Sequence, residues 1–491
     1  MSPGRRILGN FSSLLAAQVV TMVGGFITTT YLARVLGPEH FGILGFGTAF
    51  LSYFGLAVTL GTDMYGQREI ARAPARAGEL TGRIIGLRLL LCLAGTAALW
   101  GLVTAMAQPP LVRTVVLIQG AGLVAVALQV DFAFQALERM GALALRQAAA
   151  VAIQVAAVLL LVGEAADVTI AAAIPAAVAI LTSLWMLAAL RRDHADLAVR
   201  LDPAGWRRML GSAAPMALAS FMATINYTID IVMLGFMRPA AEVGWYVAAF
   251  KLLTLALVPA SLVRSAFTPA LSKAHASAAA RQESGAAHAA AVLFIGGAVA
   301  GVGALFASDI LAIVFGPGYA SARTVLEMLM LNTLLVHFDI IYGAQLLAWN
   351  HERAQLVAVA VGAVVNVGLN LLLIPSHGIE GAAVATIGAN LCLLATIALL
   401  SAWRGKPLHL WLGLRSLLAV GGAAGVGAGA DRLVARLLPT AGPWEHLLLG
   451  ASAFGLAYVL LNIAFGIVDP ARALALVGLG RPAHSRGELV P

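Results

Sequence analysis

An ionisable side chain inside an apolar run is expensive to keep there, which makes it the first candidate for chemistry. The sequence holds Arg88, Asp131, Asp230, Lys251, Arg264, His337 and Asp339 in such runs, with Asp63 and Arg68 just past the end of another. Lys251 is the deepest, about nine residues into a run of roughly 24, too far for its four-carbon stem to reach water easily. It suits either a cation lining a hydrated cavity or an ion pair with Asp230 that pins two helices. Asp230 carries Asn226 and Tyr227 at i−4 and i−3, so one helix face gathers amide, hydroxyl and carboxylate. That grouping predicts a hydrated site and no contact with lipid. Arg88, Lys251 and Arg264 are the cations that would attract a polyanionic guest. Asp230 and Asp339 are the carboxylates that could take up a proton or a metal cation. His337 stands two residues from Asp339, about 200° away around a helix, so the two form no shared metal site. Asp63, Arg68 and Asp131 lie near run ends, where charged tips reach the interface. No G-x-x-x-x-G-K string is present, which excludes a P-loop ATPase. Gly45-Phe46-Gly47 and Gly421-Gly422 fall in apolar helices and cradle no phosphate.

The elements that must position these groups are membrane helices. Hydrophobic residues make up 60% of the 491 and charged ones only 11%, with a mean hydropathy of +0.91; soluble domains have about a quarter charged. Apolar runs of about 20 residues, each able to cross the hydrocarbon layer, fall near 11–33, 41–62, 84–105, 114–135, 147–163, 168–190, 212–235, 243–266, 288–308, 322–347, 355–374, 380–402, 413–430 and 446–468. The chain reads as an all-α polytopic membrane protein of about 14 transmembrane helices. Fusing the fifth and sixth runs would invert every later loop. Keeping them apart puts about four times as many Lys and Arg on one side as on the other, the bias that orients inserted helices. Both termini are then cytoplasmic, and the net charge of +8 belongs to that topology and not to nucleic acid. Cys92 and Cys392 each sit in an apolar run, which argues against a disulfide framework or thiolate metal site. No A-x-A cleavage site follows the first run, so it reads as a retained helix.

The longest polar connection runs from Arg191 to Leu210, with Pro203-Ala-Gly-Trp206 as the expected start of an interfacial helix. It divides the chain into an N-terminal bundle at 1–195 (spans 1–6), a linker with a C-terminal bundle at 196–404 (spans 7–12), two extra helices at 405–468 and a tail at 469–491. Gly37-Pro38-Glu39-His40-Phe41-Gly42-Ile43-Leu44 returns loosely as Arg238-Pro239-Ala-Ala-Glu242-Val243-Gly244-Trp245-Tyr246, each time between the first two spans of six. That position fits an internal repeat of two six-helix bundles around a central cavity. Gly24-Gly25, Pro175, Pro215, Pro259 and Gly296-Gly297 would let helices bend or pack closely.

Several strings carry a resemblance. Asn10, Gln18, Phe26, Leu32-Ala33-Arg34-Val35-Leu36-Gly37-Pro38-Glu39-His40-Phe41-Gly42, and Gly61 with Arg68-Glu69-Ile70-Ala71-Arg72, resemble the opening of bacterial Wzx-like polysaccharide flippases. Phe315-Gly316-Pro317-Gly318-Tyr319 and Asn366, Asn370-Leu-Leu-Leu-Ile-Pro375, Gly378-Ile379-Glu380-Gly381-Ala382-Ala383-Val384-Ala385-Thr386 are similar to their later spans. Multidrug antiporters and the lipid II flippase belong to the same superfamily. The resemblance covers spans 1–12 and fades over 13 and 14.

The resemblance implies a non-enzymatic transporter of the cytoplasmic (inner) membrane that moves a lipid-linked oligosaccharide on undecaprenyl pyrophosphate by alternating access. The product would serve lipopolysaccharide or exopolysaccharide synthesis. Arg88, Asp230, Lys251 and Arg264 would line the substrate cavity, and Asp230 or Asp339 would couple a proton or sodium gradient, with no other cofactor. Membrane lipids, a polymerase and other assembly proteins would be the partners of a monomer that binds no nucleic acid. A cation-coupled drug antiporter is the alternative, against which the deep lysine argues. A membrane glycosyltransferase or ligase would need larger outward loops. The separation of spans 5 and 6 has a direct test. A cysteine at Ala165 in a background lacking Cys92 and Cys392 should react with an impermeant maleimide from the outside only, and labelling from the cytoplasmic side would refute the topology.

Overall fold

A computed structural model describes residues 3–194, 196–402 and 410–467. The described chain is helical throughout, without strands: α1 (Pro3–Thr59), α2 (Thr62–Arg72), α3 (Ala77–Ala105), α4 (Pro110–Gly120), α5 (Gly122–Leu128), α6 (Asp131–Ala136), α7 (Met140–Leu161), α8 (Val168–Asp193), α9 (Pro203–Met237), α10 (Ala240–Ala256), α11 (Val258–Lys273), α12 (Ala278–Leu305), α13 (Ala307–Val314), α14 (Arg323–Ala348), α15 (Glu352–Ala402), α16 (Leu410–Leu437) and α17 (Pro443–Ala464). Among the described residues, twelve stretches are long and apolar enough to cross a membrane. Two of them, Ala17–Arg72 with 56 residues and Arg353–Leu400 with 48, extend about 84 and 72 Å as helix and can cross twice. Each is broken by a glycine in a backbone conformation closed to other residues: Gly37 at φ 70, ψ 172 and Gly378 at φ 53, ψ −130. About fourteen crossings result, as the sequence predicts. The fifth and sixth spans are separate, Met140–Leu161 and Ala165–Asp193. The Asp167 carboxylate closes the turn between them by accepting from the Gly163 and Glu164 amides at 2.8 and 3.1 Å.

Three local readings change. Pro203 opens no separate helix; it begins α9, a 35-residue helix continuous with the span, whose first turn is capped by Asp202 accepting from the Gly205 amide at 2.9 Å. Proline at a first helical turn forfeits no hydrogen bond, so the helix simply starts early. The fourth span is discontinuous, interrupted at Ala121 and again at Gln129–Val130. The eighth is broken at Leu257, ahead of Pro259. The boundary drawn at 404–405 and the tail at 469–491 lie outside the described residues.

Contacts divide the chain into two compact units, Met1–Ala248 with Asn370–Ala382, and Ala249–Leu369 with Ala383–Pro491. This partition differs from one drawn at the polar linker, because α9 and the start of α10 pack with the first six spans. The core of the first unit joins Ile70, Ile84, Phe132, Phe134 and Trp206. That of the second joins Val292, Leu293, Ile341, Leu346 and Ile397. In the second unit α16 and α17 lie against α12: Phe454 packs on Gly301 and Tyr458 on Gly297, and the Tyr458 hydroxyl donates to the Phe294 carbonyl at 2.9 Å.

Within the first unit the two loosely repeated strings meet. A Cβ on Gly42 would stand 2.0 Å from the Ala240 carbonyl oxygen and 2.6 Å from the Gly244 nitrogen; one on Gly244 would stand 1.9 Å from the Pro38 carbonyl oxygen. Gly45 faces Val247 and Gly235 faces Phe46 in the same way. Backbone therefore rests on backbone where α1 and α10 cross, while at Gly45 and Gly235 the missing side chains admit Val247 and Phe46, a closeness only small residues allow. Gly42→Ala and Gly244→Ala should each destabilise by about 1–3 kcal/mol through overpacking. The readout is a melting temperature several degrees lower in detergent, with Gly55→Ala as control, since nothing lies within 4 Å of its Cβ position. Unchanged melting of both crossing variants would contradict the packing.

Candidate functional site

The first unit holds a buried carboxylate. Asp230, in the last third of α9, is 1% exposed and accepts from the Tyr246 hydroxyl at 2.9 Å and from the Asn370 side-chain amide of α15. Three helices thus converge on one acid. Directed hydrogen bonds to the ionised form are what keep such a carboxylate tolerable in a low-dielectric interior. Close by in sequence, the Thr228 hydroxyl meets the Tyr53 hydroxyl at 3.1 Å. At the end of α9 the Arg238 guanidinium holds Glu242 in a two-point pair, 2.8 Å at each contact. That hydrogen bonding raises the Arg238 pKa. The pair lies over Gly378, whose missing side chain leaves room for it. A cavity of about 300 Å³ opens beside this end, bounded by Phe46, Gln108, Val112, Phe236 and Arg238.

Arg88 has a different setting. Its side chain is fully buried: Nε donates to the Thr62 hydroxyl at 2.8 Å, Nη1 to the Gln129 carbonyl at 3.1 Å, and Nη2 faces Asp63 at 2.8 Å. The Phe132 ring lies under the guanidinium at 5.2 Å. Thr62 begins α2 after the break at Leu60–Gly61, both with positive φ, and the Gln129 carbonyl lies at the break between α5 and α6. One arginine therefore serves the backbone and side-chain groups at two helix interruptions. The polar line continues: Gln129 donates to Asp131 at 2.9 Å, and Arg146 pairs with Asp131 at 2.7 Å.

Lys251, Arg264 and Asp339 belong to the second unit. Lys251 is exposed although Val247, Ala248, Ala249, Leu252 and Leu253 around it are buried, so its helix is enclosed by protein and opens at the lysine. It makes no ion pair among the described residues. The next residue, Leu252, lines an apolar crevice of about 410 Å³ with Leu255, Val302, Leu326 and Met330. A cation and an apolar slot thus stand on consecutive residues. Asp339 accepts from the Gln355 amide at 3.1 Å, and exposed Arg264 on α11 acts on it electrostatically without closing an ion pair. His337 is buried and turned elsewhere, its Nδ1 against the Thr333 carbonyl at 2.6 Å. Sequence reasoning found the charges and missed their partners Tyr246, Asn370, Gln355, Thr62 and Gln129. Tyr246 and Asn370 stand in the quoted strings, where a hydroxyl and an amide in apolar helices were the available signal.

Comparison with known proteins extends over most of the chain. The polysaccharide biosynthesis protein family matches residues 7–275, more than half of the length. A putative O-antigen transporter of Escherichia coli (strain K12) is 23% identical over 398 residues, 78% of this chain and 93% of that protein. A probable low-salt glycan biosynthesis flippase of Haloferax volcanii is 30% identical over 161 residues, 32% of this chain and 34% of that protein. Among solved structures, the fold is shared with the lipid II flippase MurJ in an inward closed conformation, at a TM-score of 0.72 and 15% identity over 94% of this chain and 99% of that one. A multidrug resistance MATE transporter in an inward-facing conformation aligns at 0.60 and 17% identity, over 78% and 94%.

The Arg88 setting yields a measurable asymmetry. Asp63→Asn leaves a fully buried guanidinium without its counter-charge and should lower stability by about 3 kcal/mol, whereas Arg88→Ala leaves a half-exposed carboxylate and loses mainly packing and two hydrogen bonds. Arg88→Lys should not rescue, because an ammonium cannot reach three partners in different directions. Thermal unfolding of the purified variants decides, and full stability of Arg88→Lys would refute the strut.

Proposed function

This chain belongs to the polysaccharide biosynthesis protein family, and from that membership we propose that it is a flippase for a lipid-linked oligosaccharide. The observation that carries the reading is Lys251, a cation that forms no ion pair among the described residues, exposed in an otherwise enclosed helix and followed by the wall of an apolar crevice. A lipid pyrophosphate has the matching parts, an anionic head and an apolar tail. The proposed carrier is undecaprenyl pyrophosphate, moved by alternating access across the cytoplasmic membrane for assembly of a surface polysaccharide. Both chain ends face the cytoplasm in this proposal, on the strength of the arginine bias. Arg264 assists Lys251 in holding the anion. Arg88, enclosed by Asp63, Thr62 and Gln129, supports the frame instead.

The coupling ion, a proton or sodium, is assigned to the carboxylates Asp230 and Asp339. Asp230 is the stronger candidate, because three helices meet at it and loss of its charge would loosen all three. A polymerase and other assembly proteins take over the cargo outside. The MATE-like fold admits a cation-coupled drug antiporter, but a cationic guest would be repelled by Lys251 and Arg264.

At an effective dielectric near 20, a unit charge pair at ~4 Å is worth about 4 kcal/mol before desolvation. Lys251→Arg should therefore keep most transport, and Lys251→Ala or Lys251→Glu should lose most of it at normal membrane levels. The assay is accumulation of inner-face lipid-linked oligosaccharide in cells carrying each variant. Full activity of Lys251→Glu would remove the residue from the mechanism.

A further inference from the structure

A crevice of about 420 Å³ opens in the first unit at the arginine-rich end of the membrane helices, bounded by Ile85 of α3, Leu128 of α5, Leu184 and Leu187 of α8, and Leu197 and Val199 of the connection to α9. Its one charged wall residue is Arg191, in the last turn of α8. Arg191 is exposed and, among the described residues, enters no ion pair. The acids nearby are engaged elsewhere: Asp193 with Arg139, Asp196 with the Glu79 amide at 3.0 Å, and Asp202 with Arg83 at 3.3 Å.

The connection forming one wall is fixed in place. The Arg200 amide donates to the Gly82 carbonyl at 3.2 Å, and the Trp206 indole donates to the Arg83 carbonyl at 2.9 Å. On this pinned segment Val199 is 54% and Leu201 76% exposed, while Leu197 between the helices is buried. Exposed Leu181, Leu184 and Trp185 continue the apolar surface along α8. An apolar loop edge held rigidly beside unpaired arginine is stable where acyl chains meet headgroups and costly in water. Arg192, Arg200, Arg207 and Arg208 are exposed on the end of α8, the connection and the first turns of α9, and they add positive charge to this polar stretch, so a headgroup bearing its own ammonium gains less here than an anionic one.

We propose that this crevice is a binding site for one anionic membrane phospholipid, an acyl chain lying against Leu184, Leu187 and Val199 and its phosphodiester paired with Arg191. The site is separate from Lys251 and holds whatever the cargo. Its occupant would tie the polar connection to α3 and α8, making the order of this loop depend on membrane composition.

The test is native mass spectrometry of the full-length protein released from detergent, titrated with phosphatidylglycerol and with phosphatidylethanolamine of identical chains. Phosphatidylglycerol should bind at least tenfold more tightly with a stoichiometry of one. Arg191→Gln should abolish that preference, and Ala188→Trp, which narrows the crevice from α8, should weaken both lipids. Arg192→Gln, outside the crevice, should change binding less than twofold. Equal loss with Arg192→Gln would reduce the effect to diffuse surface charge, and equal affinity for the two lipids would leave only an apolar annulus. Displacement of phosphatidylglycerol by a polyprenyl pyrophosphate at equal concentration would make the crevice a cargo site. Each of these three results overturns the proposal.

Discussion

Gly42 and Gly244 bring two helix backbones within reach of each other's carbonyl groups, and much of the first unit follows from that closeness. With side chains absent at the crossing, α1, α9 and α10 pack tightly enough for Tyr246 to reach Asp230. The ends of α9 and α10 then present Arg238 and Glu242 to the gap left at Gly378. In a bilayer, where lipid tails are as apolar as the helices, van der Waals closeness and shared hydrogen bonds replace the hydrophobic effect as the source of association. The two loosely similar strings, around Gly42 and around Gly244, supply the two surfaces of the crossing.

The intramembrane charges fall into two physical classes. Arg88 and Asp230 are buried and held by several partners on different helices. Arg88 in particular offsets the backbone groups released where α5 gives way to α6. Lys251 and Arg264 are exposed and make no ion pair among the described residues. An arginine tied into the frame as Arg88 is cannot also grip and release an anionic guest without unmaking the frame. A cation without such ties can pair with an anion and part from it while the helix contacts stay in place. That distinction separates structural cations from candidate transport cations.

Discontinuous helices gather where these groups act. The break at Gln129–Val130 and the one at Leu60–Gly61 both lie on Arg88, and α10 ends a turn beyond Lys251. Irregular backbone inside a membrane is tolerated only where protein or water satisfies it, so the same polar residues that stabilise the breaks mark the places where helices can bend.

The sequence by itself determined the class of the molecule. Run length and the scarcity of charge gave the spans, and the arginine asymmetry kept the fifth and sixth apart. The strings around Gly37 and Asn370 pointed to the family, and the depth of Lys251 singled it out, because hydropathy and helix length are properties of consecutive residues. The tertiary structure alone decided which charges are occupied. Arg88 and Lys251 look alike in sequence, each a cation in an apolar run, yet one meets Asp63, Thr62 and Gln129 and the other no counter-charge among the described residues. Those partners lie 25 to 41 positions away from Arg88, and Asn370 lies 140 from Asp230, separations at which no periodicity speaks. The glycines read as packing features became a backbone-on-backbone crossing for the same reason: a missing Cβ says that something comes close, and only the fold says what.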